Sequence, residues 1–122
     1  MTKVGLLVVL LLVTAVSGCT DGGGEDNFAT PPQDDAGRYI IEISDFKFTP
    51  AQAKVPVGAT VVWMIVGGGH NVAPDGHSEW SATTVSSSTG EHLVHKFSKA
   101  GTFDYYCHPH QSMGMKGTIK VA

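Results

Sequence analysis

Cysteine is the scarcest reactive residue in this 122-residue chain, with Cys19 and Cys107 its only two. They form no C-x-x-C pair, which excludes a dithiol redox motif, and Cys107 has no second cysteine in its own loop. Positive charge is thin as well. Eight lysines and arginines are scattered without a cluster, so no nucleic-acid partner is expected. The net charge of −3 becomes −4 once Lys3 is lost with a leader (−3 − 1), a mild acidity that says little about partner choice. After residue 37 no segment repeats its apolar residues at helical spacing, which argues against a helical fold.

The one long apolar run lies at the start. Met1, Thr2 and Lys3 form a short cationic region, residues 4–16 are almost wholly apolar, and Val16, Ser17 and Gly18 lead into Cys19. This is the layout of a secretory signal over residues 1–18, too short for a comfortable membrane span of about 20 residues. Small residues before Cys19 also resemble a bacterial or archaeal lipobox, in which the cysteine is lipidated and becomes the new N-terminus. A cut elsewhere and an uncleaved anchor are the alternatives, and all three place the domain outside the cytoplasm, attached to the cytoplasmic membrane in the lipidated case. Residues 19–37 are rich in Gly, Pro and acid and read as a flexible tether reaching roughly 25 Å; Phe28 leaves open a strand packed on the domain. Residues 38–122 are then the folded domain.

That domain carries strand signals throughout: residues 38–43, 45–48, 54–58, the doubly apolar TVVWMIV at 60–66, 91–97, 102–107 and 117–121. Many short strands punctuated by Gly and Pro imply an all-β sandwich. The polar stretch at 73–90 is long for a loop and leaves room for a short strand or helical turn. Trp63 reads as core packing and Trp80 as a loop anchor. His77 reads as solvated, and His92 and His95, three apart on a strand, as facing opposite sides of the sheet.

Against this scaffold the segment YYCHPHQSMGMKG at 105–117 concentrates a thiol, imidazoles and thioethers. If Cys19 carries lipid, Cys107 is a lone thiol in an oxidising compartment, where a bound metal would explain it. His70 follows a strand 37 positions before Cys107; His110 lies three after Cys107 and Met115 five after His110. Two histidines and a cysteine with a weak axial methionine make the ligand set of blue-copper electron-transfer sites, whereas structural zinc prefers four strong ligands and takes a thioether poorly.

The GHN of residues 69–71, the GTFDYYCHPHQSMGMKG of 101–117 and the FTPAQAKVPVG ahead of the TVVWMIV strand together resemble the cupredoxins, most closely the plastocyanin, halocyanin and pseudoazurin groups. The likeness spans residues 40–122. It implies a Greek-key β-sandwich of mixed or antiparallel strands and one mononuclear type 1 copper ion held by His70, Cys107, His110 and Met115. Met113 is the competing thioether and is assigned to the surface. Asn71 would tie the first histidine to the cysteine loop, and His108 would face solvent. Electrons would leave through His110, framed by Pro109, Met113, Gly114 and Gly69, toward transient redox partners such as a cytochrome or membrane complex. A monomer without enzymatic activity is expected; an extracytoplasmic copper-handling protein is the alternative.

Overall fold

A computed structural model describes residues 27–122. The leader expected over residues 1–18 and the lipidation site Cys19 lie outside the described residues. Eight strands form two four-stranded sheets: β1 (Tyr39–Ser44), β2 (Lys47–Thr49), β3 (Gln52–Val55), β4 (Thr60–Ile65), β5 (Ala73–Asp75), β6 (Gly90–Lys96), β7 (Gly101–Tyr106) and β8 (Lys116–Val121). One sheet runs β2-β1-β4-β6 and the other β3-β8-β7-β5. The pairs β1–β4 and β3–β8 are parallel and the others antiparallel, so both sheets are mixed, as expected of the sandwich.

Alternation decides which side chains go inward. Ile41 and Ile43 are buried around exposed Glu42, and Phe103 and Tyr105 around exposed Asp104. Continuing that period past the end of β7 turns Cys107 inward too, where it is fully buried. In β4 Val61, Val62 and Trp63 are all buried, as its apolar character on both faces requires of a central strand. Trp63 lies between the sheets with Trp80 at 5.3 Å and Tyr105 at 5.5 Å between ring centroids. Trp80 is buried, an anchor that fastens the 76–89 connection onto the core. Truncating a buried aromatic of this kind costs roughly 3–5 kcal/mol.

Three stretches go beyond the sequence reading or differ from it. The polar region at 73–90, where the sequence leaves room for a short strand or helical turn, resolves to the edge strand β5, paired with β7 through Ala73–Tyr106 and Asp75–Asp104. Segment 27–37 is held along part of its length and is not a free tether there. The Ala29 N–H donates to the Gln52 carbonyl, and the Ala29 carbonyl accepts from Lys54 N–H, each at 2.9 Å. This covers backbone groups of β3 that would otherwise remain an open sheet edge. Lys120 Nζ stands 5.7 Å over the Phe28 ring, and the Ile40 N–H donates to the Pro32 carbonyl.

The third difference is in β6. Its register against β4 shifts between Trp63 and Met64, pairing Leu93 with Trp63 and Glu91 with Met64 and leaving His92 as the extra residue of a bulge. The alternation that would set His92 and His95 on opposite faces is thereby broken. Both reach the same connection: His92 Nε2 lies 2.7 Å from Thr83 Oγ1, and His95 Nε2 3.0 Å from Glu79 Oε2. Nor is His77 simply solvated. Its Nε2–H donates to the Asp104 carbonyl at 2.8 Å, its Nδ1 accepts from Glu79 N–H at 3.1 Å, and its ring packs on Trp80 and Phe103.

Candidate metal centre

The centre is assembled from two places in the chain. His70 follows the turn after β4, and its backbone is clamped to Ser86 by reciprocal bonds: His70 N–H donates at 3.0 Å and Ser86 N–H returns one at 2.9 Å. Cys107, His110 and Met115 belong to the connection between β7 and β8, which winds through a 3-10 helix, His108–Met113. That loop is closed by its own backbone. Cys107 N–H donates to the Met115 carbonyl at 3.0 Å, His110 N–H to the Cys107 carbonyl at 3.1 Å, and Met115 N–H to the His110 carbonyl at 3.3 Å. Gly114 makes the return with a left-handed φ of 78°, which glycine adopts without a steric penalty.

Cys107 Sγ lies 3.7 Å from His70 Nδ1 and 3.4 Å from His110 Nδ1, and the ligand atoms of the three residues are all within 4.8 Å of one another. Three donors gathered this closely around one point form a group that could hold a single metal ion. Among the described residues this is the one cluster of three or more His, Cys, Asp or Glu so arranged, and it contains no carboxylate. A thiolate with two imidazoles is a soft and borderline set, suited to copper and poorly suited to magnesium or calcium. Met115 is 1% exposed and Met113 60% exposed, so burial separates the two thioethers in the sense the motif implies.

The supporting contacts fix which nitrogen is available. His70 Nε2–H donates to the Gly67 carbonyl at 2.8 Å, which leaves Nδ1 as the lone-pair nitrogen beside the thiol. Burial holds the His70 imidazole below its usual basicity, opposed by the Gly67 carbonyl and assisted by the nearby His110, a shift in the direction of the neutral form that a metal requires. Gly68, at φ 86°, lies under this ring; a Cβ there would come within 2.6 Å of His70 Nε2. Asn71 links the two halves of the centre: its Oδ1 accepts from His108 N–H at 2.7 Å, and its Nδ2 donates to the Thr83 carbonyl at 3.1 Å. Thr83 Oγ1 accepts from Val72 N–H at 2.9 Å and also meets His92.

Of the expected surface around His110, which is half-buried, Pro109, Met113 and Gly114 are exposed and Gly69 is partly so; His108 is exposed as well. Three contributors escape the sequence. Gly67 offers a backbone oxygen, which no residue type announces. Thr83 lies in a Ser- and Thr-rich run that gives no reason to single it out. Phe46, in the β1–β2 turn, places its ring against His110 with centroids 4.8 Å apart.

A β-sandwich that holds one cysteine and two histidines at a single point between its sheets defines a small copper-binding protein. The chain belongs to the plastocyanin/azurin family of copper binding proteins, whose family model matches residues 36–122. It is 36% identical over 83 residues to plastocyanin from Scenedesmus fuscus, an alignment covering 61% of this chain and 85% of that one. It is 36% identical over 80 residues to halocyanin from Natronomonas pharaonis, covering 62% of this chain and 48% of the halocyanin. The fold superposes on oxidised plastocyanin from Dryopteris crassirhizoma with a TM-score of 0.57 and 26% identity, over 68% of this chain and 99% of that one. The chemistry of the family is copper-mediated electron transfer.

Proposed function

We propose that this protein is a one-electron carrier, with a mononuclear type 1 copper held by His70, Cys107 and His110 and by Met115 as the weak axial ligand. Bound there, the copper would supply reversible exchange between Cu(II) and Cu(I). The chain's part is to hold the donors still. Cys107 supplies the thiolate, buried and tied by its own N–H to Met115. His70 is fixed by Gly67 on one side and Ser86 on the other. The observation that carries the reading is this closed, pre-formed cradle, because a carrier gains speed when its ligands need not rearrange between oxidation states.

Electrons pass through His110, which reaches the surface beside Pro109, Met113, Gly114 and Gly69. Such a small, largely uncharged patch suits brief docking with redox proteins. The signal layout and the cysteine at position 19 support an extracytoplasmic site of work, with a lipid on Cys19 holding the domain at the membrane surface; the working form proposed is a monomer. Residues 1–18 are then removed, the domain is 38–122, and the stretch between is a leash whose final part rests on β3.

The test sets the carrier against a copper-handling protein with the same ligands. A copper-loaded sample is cycled by controlled potential while a chelator competes for the metal. The carrier reading expects a reversible one-electron wave and copper retained in both states. Loss of copper on each reduction or oxidation contradicts it and favours handling.

A further inference from the structure

The β1–β2 hairpin carries a side chain that neither the ligand set nor the core accounts for. Phe46 is the only non-glycine residue with positive φ (58°) among the described residues. Half of its surface is in solvent, and it meets His110 edge to face at 81° between planes. Glycine or asparagine would occupy this left-handed turn more easily, and a half-exposed phenyl forgoes much of its burial gain. A strained backbone joined to an exposed aromatic is the kind of outlier that marks a functional constraint.

The two imidazoles of the centre are held by different means. His70 is buried and anchored by Nε2–H to the Gly67 carbonyl. His110 is only half-buried, and among the described residues its Nε2 has no hydrogen-bond partner. Its ring contacts are Cys107 Sγ at Nδ1, the His70 ring at 5.1 Å and the Phe46 ring. The terminal torsion of a histidine is broad and nearly two-fold, so a ring without a second contact is free to turn Nδ1 away from the thiol. We infer that Phe46 is the positioning residue of His110: its ring, carried over the imidazole by the left-handed turn, takes the place of the hydrogen bond that fixes His70. This deepens the proposed copper function, on which the role of His110 as ligand rests, while the ordering of the ring is a property of the protein alone.

The experiment compares Phe46→Gly, Phe46→Asn and Phe46→Tyr with the unaltered protein. Glycine and asparagine both accept the left-handed turn, so the hairpin is expected to form without the ring, and tyrosine restores the ring. Imidazole nitrogen and carbon NMR of the metal-free protein reads the order of His110, with His70 as internal reference. The expected result is a single ordered His110 ring in the unaltered protein and in Phe46→Tyr, and a disordered one in Phe46→Gly and Phe46→Asn, with His70 unchanged. In the copper-loaded protein, Phe46→Gly should weaken Cu(I) binding by about threefold to tenfold, the scale of an aromatic pair. An unchanged His110 in both ring-less variants, or a disorder that spreads equally to His70, overturns the inference. Failure of the unaltered protein to form a type 1 site would instead strike the copper reading, and the metal-free NMR would still decide the role of Phe46.

Discussion

Gly68 shows how closely the backbone approaches the first histidine. A Cβ at that position would come within 2.6 Å of His70 Nε2, at a φ of 86° that side chains rarely adopt. Gly68→Ala therefore carries a left-handed penalty of about 1–2 kcal/mol before any clash. It should lower the thermal midpoint of the metal-free protein and weaken copper binding together, read by calorimetry and metal titration; an unchanged midpoint would mean the turn relaxes freely. The two methionines should part in the same way they part by burial. Met115→Ala is expected to lose core packing worth roughly 2–5 kcal/mol and to shift both reduction potential and copper spectrum. Met113→Ala, at a 60% exposed site, should leave the spectrum as it is. At this scale the candidate cluster was legible because Cys107, His110 and Met115 fall within a span of nine residues in the sequence. Phe46, Gly67 and Thr83 were not legible, since two act through ring packing or a backbone oxygen and the third through one hydroxyl among many.

β6 is the element where sequence period and structure part company. A bulge cannot be read from residue types alone, because its extra residue is an ordinary member of the strand until a register is known. Here the extra residue is His92, which the shift brings to Thr83 and so to the segment that also receives Asn71. Burial, with His70 nearby, holds the His92 imidazole below its usual value of 6.5. His70 is displaced in the same direction. A histidine whose folded value is depressed binds more protons when unfolded. Its contribution to stability is therefore complete above pH 6.5 and is lost as pH falls through the folded value. Denaturant unfolding of the metal-free protein should show a midpoint that falls below that pH, and His92→Gln should flatten the fall. β5 was allowed for but could not be placed, for a different reason. Its three residues include Pro74, which lacks a ladder N–H and is at home only in an edge strand such as this one. β4, β7 and β8 were readable because burial on both faces or strict alternation leaves few other arrangements.

Across the whole molecule, the centre joins the two sheets. His70 follows β4 of one sheet, while Cys107, His110 and Met115 connect β7 to β8 of the other. A metal bound there links both halves and favours the folded state by mass action, about 2.7 kcal/mol when free metal is a hundredfold above its dissociation constant. Copper should raise the unfolding midpoint of the unaltered protein and leave that of Cys107→Ser nearly unmoved. The sandwich and its metal were readable from sequence because one face of each strand and one loop carry them. The course of residues 27–37 was not, since Gly, Pro and acidic residues describe a mobile linker and a covered sheet edge equally well. Above all these stands the claim that Cys107 binds Cu(II) as a thiolate between two imidazoles, and the visible absorption and paramagnetic resonance of the copper(II)-loaded protein test it most directly. The expected result is an intense blue thiolate-to-copper band with narrow copper hyperfine splitting. A pale solution with the wide splitting of tetragonal copper would contradict it.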